Sequence, residues 1–220
     1  MHIEIVSFCA VGTDDIRVTL LLSEREHESK QSFVISADAY AEMRLRKGEV
    51  DREVYDALEN ESLVYEAFKR GVASLAYGAC SSGMLVSKLR TKGYSSSVAS
   101  LAVQRIVLRG YLNEAENAKR EAERCAAKLW GESRIRAKLF EKRYSRSSID
   151  AAMFALEDSG VDFEENCRKL IDQKYDSIPE NAEEMRKLMG AVCRQGYSVS
   201  QIKSACLSLR EKKRMDKIYR

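Results

Sequence analysis

The sequence predicts a mainly α-helical protein. Three tandem three-helix (helix-turn-helix-like) repeats form an elongated array, preceded by a small N-terminal β-hairpin/β-sheet plus helix element. Three observations predict it. The stretches KLRTKGYSSSVASLAVQRI (88–106), KLFEKRYSRSSIDAAMFAL (138–156) and AVCRQGYSVSQIKSACLSL (191–209) align without a gap on Tyr94, Tyr144 and Tyr197, at offsets of 50 and 53 residues. A single proline and 8% aromatic residues suit a helical chain. The first sixty residues break the period and carry β-branched runs instead.

In chain order, the N-terminal element (1–62) opens with IEIVSFCAV and IRVTLLL, joined by a turn at Gly12-Thr13-Asp14-Asp15. A shorter run, QSFVI, follows as a third strand candidate. SADAYAEMRLRKG (36–48) reads as a helix ended by Gly48, and VDREVYDALENE as another short helix. A two-stranded hairpin is marginal by itself, so this element is expected to pack on the first helical unit.

The repeats are read as 63–110, 113–160 and 163–213, with a basic tail at 214–220. Their first helices are LVYEAFKRGVASLAY, NEAENAKREAERCAAKLW and FEENCRKLIDQKY. The next two helices of each repeat share apolar columns. Leu85/Ile135/Leu188 and Leu89/Leu139/Val192 lie four apart before the tyrosine. After it come Ala99/Ile149/Ile202, Ala102/Ala152/Ala205, Val103/Met153/Cys206 and Ile106/Leu156/Leu209, the i, i+3, i+4, i+7 spacing of a buried helical stripe. Gly93 and Gly196 suit the position after a helix end, and the serines behind the tyrosines suit N-caps. Ser198 and Gln201 have capping-box spacing. Gly110 and Gly160, again 50 apart, close the first two repeats. Pro179 falls in a loop, and Asn181 with Glu184 marks the helix start behind it.

Net charge is only +3, yet it is unevenly spread. Residues 1–80 sum to −6, 81–150 to +8, 151–185 to −7 and 186–220 to +8. Charged helix surfaces explain part of this. The basic excess over 81–150 is large enough to read as an electrostatic footprint for a polyanion or an acidic protein surface. No apolar run reaches the roughly 18 residues of a membrane helix, and MHIEIVSF lacks the basic region of a secretory signal, so the expected location is the cytoplasm.

Catalytic and cofactor motifs are absent. GACSSG lacks the lysine of a phosphate-binding loop, and there is no Gly-x-Ser-x-Gly. Only His2 and His27 could serve a nucleophile pair, and both lie in the β-like region. The six cysteines form no C-x-x-C pair and read as reduced structural thiols. No enzyme, cofactor or metal is expected. Sequence-specific DNA reading is weakly supported: the second helices begin with serines, and Arg146 alone could make a bidentate guanine contact.

Four places over 63–213 form an ordered pattern: Leu89-x-x-Lys92-Gly93-Tyr94 with Arg109-Gly110-Tyr111-Leu112-Asn113-Glu114; Gly131-Glu132-Ser133-Arg134-Ile135-x-x-Lys138-Leu139; Cys167-Arg168-Lys169-Leu170 with Lys174-Tyr175; and Lys187-Leu188 with Arg194-Gln195-Gly196-Tyr197 and Ile202. In their order and spacing these residues resemble the RecX family, bacterial regulators of the RecA recombinase. The chain departs from the family at Gly78-Ala79-Cys80-Ser81 and Met84-Leu85, where the family's Arg before the Ser and Glu before the Leu are missing, and where Asn113-Glu114 replaces Asp-Asp.

The resemblance implies a non-catalytic protein, and a monomer is expected. It would lie in the groove of the RecA–single-strand DNA filament and hinder filament growth, ATP turnover, strand exchange and repressor self-cleavage, so acting in DNA repair, homologous recombination and the SOS response. Arg90, Lys92, Arg105, Arg109, Arg134, Arg136, Lys138, Lys142, Arg143 and Arg146 are the expected contact group. The alternative is a direct, largely sequence-nonspecific binder of single- or double-stranded DNA.

Overall fold

The computed structural model describes residues 2–24 and 27–218. Four antiparallel strands come first: β1 (His2–Ala10), β2 (Asp15–Glu24), β3 (His27–Ser36) and the two-residue β4 (Gly48–Glu49), in sheet order β3-β2-β1-β4. Alternation drives the sheet. Ile3 and Ile5, Val18 and Leu20, Phe33 and Ile35 all point to one face and are buried there. QSFVI is the second half of a full-length strand, its first half being polar HESK, which the apolar pattern could not show.

Helix α1 (Ala37–Met43) is capped by Ser36, whose hydroxyl accepts from the Ala39 amide. It stops earlier than expected. Arg44 adopts a left-handed conformation (φ 48°), and Gly48 belongs to β4 and not to the helix end. The two helices expected over 50–61 and 63–77 are one. Helix α2 (Arg52–Leu75) runs 24 residues from an Asp51 cap, because nothing between Glu59 and Leu63 breaks it.

The remaining helices are α3 (Ser82–Thr91), α4 (Ser96–Leu108), α5 (Glu114–Ala126), α6 (Glu132–Glu141), α7 (Arg146–Asp158), α8 (Phe163–Lys174), α9 (Ala182–Cys193) and α10 (Val199–Ile218). Part of the basic tail thus continues α10, and Tyr219–Arg220 lie outside the described residues. None of the helices among the described residues is long and apolar enough to cross a membrane.

The chain forms two compact units. One comprises 1–79 and 85–112, the other 80–84 and 113–220. In the first, the sheet packs on α2 and α2 packs on α4. Polar ties fix the sheet: Tyr65 donates to Asp15 at 2.5 Å, Lys69 reaches the other oxygen of Asp15 at 3.0 Å, and Tyr55 donates to Gln31 at 2.7 Å. These partners, Tyr65 foremost, hold the Asp15 carboxyl below its ordinary range. In the second unit, α5 packs on α6 and α7 around Ile135, Leu139, Met153 and Leu156, while α8 and α9 pack on α10 around Cys167, Ile171, Ile202 and Cys206.

Every residue of the six apolar columns is buried, none more than 6% exposed, so the stripe is core throughout. Each fully buried aliphatic side chain there contributes about 1.5–3 kcal/mol relative to exposure. The serine caps form as expected. Ser95 accepts from the Val98 amide and Ser145 from that of Ser148. Ser198 and Gln201 make a reciprocal capping box, at 2.9 and 3.2 Å.

Two backbone joints organise the second unit. At one, Gly131 donates to the Gln195 carbonyl (2.7 Å) and the Ser133 hydroxyl to that of Gly196 (2.9 Å). A methyl on Gly196 would come within 2.6 Å of Arg134 Cβ. At the other, Ser81 donates to the Lys142 carbonyl (2.6 Å), and a methyl on Gly83 would come within 2.8 Å of the Arg143 carbonyl. In both, the start of one helix is pressed against the turn between two others.

Gly93 and Gly196 share a φ of 97°, but a methyl on Gly93 would find nothing within 4 Å. Gly93→Ala should therefore cost only the conformational penalty, about 1 kcal/mol. Gly196→Ala should cost about 2–4 kcal/mol, since overpacking adds to it. Urea denaturation of the two variants measures the difference, and equal losses would remove the close approach as a stabilising constraint.

Candidate interaction surface

The ten basic residues singled out in the sequence divide into two kinds. Six are held by other side chains of this protein. On α4, Arg105 forms a two-pronged bond to Glu61 at 2.6 Å for each prong, and just past its end Arg109 donates to Asp38 at 2.6 Å with its guanidinium 5.2 Å from the Phe68 ring centre. On α6, Arg134 stacks 3.8 Å above Trp130 and donates to Gln195. Arg136 bridges Glu132 (2.8 Å) and Asp150 (2.6 Å), and Lys138 pairs with Glu141 (2.9 Å). Lys142 and Arg124 both bond the buried Glu121, at 2.5 and 2.6 Å. Burial works against the Glu121 charge, yet these cations, led by Lys142, keep its carboxyl below the ordinary range. Hydrogen bonds to Glu61 and to Glu132 and Asp150 raise the guanidinium pKa of Arg105 and Arg136 further.

The other four carry exposed charge with no side-chain partner among the described residues: Arg90 and Lys92 at the end of α3, and Arg143 and Arg146 around the start of α7. Lys88, one helical turn before Lys92, is likewise exposed and unpaired. The sequence reading missed it, though its i, i+4 relation to Lys92 was visible. Arg90 and Lys92 lie in the first unit and Arg143 and Arg146 in the second.

Each pair sits on a tight interhelical turn. After α3, Gly93 donates to Arg90 (3.0 Å) and Tyr94 to Leu89 (3.3 Å), the paired bonds of a Schellman motif. After α6, Arg143 donates to Phe140 (2.8 Å) and Tyr144 to Leu139 (3.1 Å) in the same pattern. Arg143 therefore holds the left-handed position that glycine fills at 93 and 196, with φ 59°. The turn tyrosines are structural. Tyr144 and Tyr197 are 7% and 4% exposed, and Tyr197 donates to the Leu129 carbonyl (2.9 Å). Burial raises the Tyr144 hydroxyl to about 12. Tyr94 is half-buried against Arg70.

Glu114 locks the second turn. One carboxylate oxygen accepts from the Ser145 amide (2.9 Å), the other from the Ser82 amide (3.0 Å). Asn113 caps α5, accepting from the Glu116 amide (3.1 Å). The Asn113-Glu114 departure thus retains a cap and a two-helix clamp. At the first departure Ser81 caps α3, accepting from the Met84 amide at 3.0 Å.

Fold and surface define the class: a mainly helical protein with an N-terminal antiparallel sheet, which presents unpaired positive charge on its interhelical turns. The chain belongs to the RecX family of regulatory proteins. It is 31% identical over 119 residues to regulatory protein RecX of Ectopseudomonas mendocina (strain ymp), covering 54% of this chain and 77% of that protein. It is 31% identical over 122 residues to regulatory protein RecX of Vibrio campbellii (strain ATCC BAA-1116), covering 55% and 77%. No family profile matches the chain. A crystal structure of regulatory protein RecX superposes with a TM-score of 0.66 over 92% of this chain and 99% of that one, at 20% identity. The crystal structure of RecX from Lactobacillus salivarius gives 0.58 over 67% and 97%, at 14% identity. Both share the fold.

Burial disfavours the Glu114 charge, but the Ser82 and Ser145 hydrogen bonds outweigh it and hold the carboxyl below 4.5. A depressed carboxyl contributes stability that is complete above 4.5 and is lost as the pH falls through the folded-state value. Glu114→Gln should cost about 1–3 kcal/mol at neutral pH, because an amide cannot accept from both backbone groups. The gap to the parent protein should narrow as the pH falls below 4.5 in denaturant titrations. A gap independent of pH would show that the charge plays no part.

Proposed function

We propose that this protein is a non-catalytic, monomeric cytoplasmic regulator that binds the RecA–single-strand DNA filament and inhibits its recombinase, ATPase and coprotease activities. It thereby restrains homologous recombination and the SOS response. The observation that carries the reading, given the family, is the sorting of the basic residues. Arg90, Lys92, Arg143 and Arg146 are exposed and unneutralised on turns, whereas the six others are spent on the protein's own carboxylates, on Gln195 or on an aromatic ring.

In this reading α2–α4, α5–α7 and α8–α10 act as three three-helix units in an elongated array, each offering a different surface to successive filament protomers. Several weak contacts on one chain then reinforce one another through effective concentration. The same unneutralised charges favour a second reading, direct and sequence-nonspecific binding to DNA phosphates.

The combined variant R90E/K92E/R143E/R146E should raise the concentration needed for half-inhibition of RecA strand exchange and ATP turnover at least tenfold, with circular dichroism and melting unchanged, since no pairing is broken. Undiminished inhibition would overturn the assignment. R136E breaks two ion pairs and should instead lower the melting temperature. If inhibition vanishes on adding excess single-strand DNA, and affinity for naked DNA falls steeply with salt, the direct DNA reading replaces the first.

A further inference from the structure

Helices α9 and α10 leave an open groove of about 280 Å³ between them. Met185, Met189, Ile202 and Cys206 line it, with Leu207 on its lip at 60% exposure. The polar residues at its edge are Lys203 and Arg210, and no carboxylate lines it. Lys203 is exposed and has no side-chain partner among the described residues. Arg210 gives one N–H to the Pro179 carbonyl (2.8 Å) and is otherwise exposed. Lys203, Leu207, Arg210 and Arg214 fall at i, i+4, i+7 and i+11 on one face of α10, so a positive rim runs along an apolar trough. Glu211 stands outside the lining.

We propose that this groove docks an amphipathic protein helix whose large apolar residues are flanked by Asp or Glu. The apolar floor asks for a hydrophobic side chain, and the thioethers of Met185 and Met189 adapt to its shape. The rim selects the sign of the flanking charge. A nucleic acid would answer Lys203 and Arg210 but leave the methionine floor wet. The inference stands whether or not the turns at 90–92 and 143–146 bind the recombinase filament, since it rests on other residues.

The test uses the full chain and three fluorescein-labelled helical peptides of about four turns. The first has Leu at i, i+4 and i+7 with Glu between, the second replaces Glu by Lys, and the third keeps Glu but replaces Leu by Ser. Anisotropy at physiological salt should show the first binding at least tenfold tighter than either other. L207D and K203E should each weaken it at least tenfold with circular dichroism unchanged, and R143E/R146E should leave it unaltered.

Equal binding of all three peptides overturns the proposal, and so does a loss in R143E/R146E as large as in K203E, since either marks non-specific attraction. Two further results would also overturn it. Self-association in sedimentation that L207D abolishes would make a second copy the occupant. A single-strand oligonucleotide that displaces the first peptide from the parent protein but not from K203E would make it a nucleic-acid site.

Discussion

The second unit depends on backbone meeting backbone where the start of one helix abuts the turn between two others. Gly131 against Gly196 and Gly83 against Arg143 leave no room for a side-chain carbon, and Ser133 and Ser81 add hydroxyl bonds to the turn carbonyls of Gly196 and Lys142. Glu114 completes the joint by accepting from Ser82 and Ser145 together. Close contact and these hydrogen bonds hold each turn against the helix start that meets it. The side chains on the turn are placed with it, so the position of Arg143 and Arg146 follows from these backbone contacts and from the Glu114 clamp. The amide and hydroxyl hydrogen bonds of these joints are little affected by salt, unlike the exposed charges beside them.

Charge in this protein does two kinds of work. Arg105 to Glu61 and Arg109 to Asp38 tie α4 to α2 and α1, while Lys142 and Arg124 neutralise the buried Glu121. A half-exposed ion pair contributes modestly, about 0–1 kcal/mol. A buried carboxylate left without its cations would be a far larger loss. The residues that remain unneutralised are therefore those whose removal costs the fold least.

Much of this was legible in the residues. The aligned apolar columns are core to the last member, and the serines behind the tyrosines are caps, because both are local consequences of helical spacing. The pairs Arg136–Glu132 and Lys138–Glu141 could also have been read from i, i+4 and i, i+3 spacing. Arg105–Glu61 and Arg109–Asp38 could not, since the partners lie 44 and 71 residues apart. Arg143 hid its left-handed backbone because a non-glycine residue there costs about 1–2 kcal/mol, a sum that two turn hydrogen bonds and a buried Tyr144 offset. The break expected before Leu63 came from the repeat period. Ser62 instead turns its hydroxyl to the Val34 amide of the sheet, at 3.1 Å.

That unbroken α2 has a mechanical meaning. Twenty-four residues at 1.5 Å each make a strut of about 36 Å, with the sheet lashed to it by Tyr55, Ser62 and Tyr65 and with α4 seated further along, where Gly71 admits Ile106. A helix resists bending far better than a loop of equal length. The sheet and α4 are thus seated on one continuous strut, with no break in α2 between the two seats.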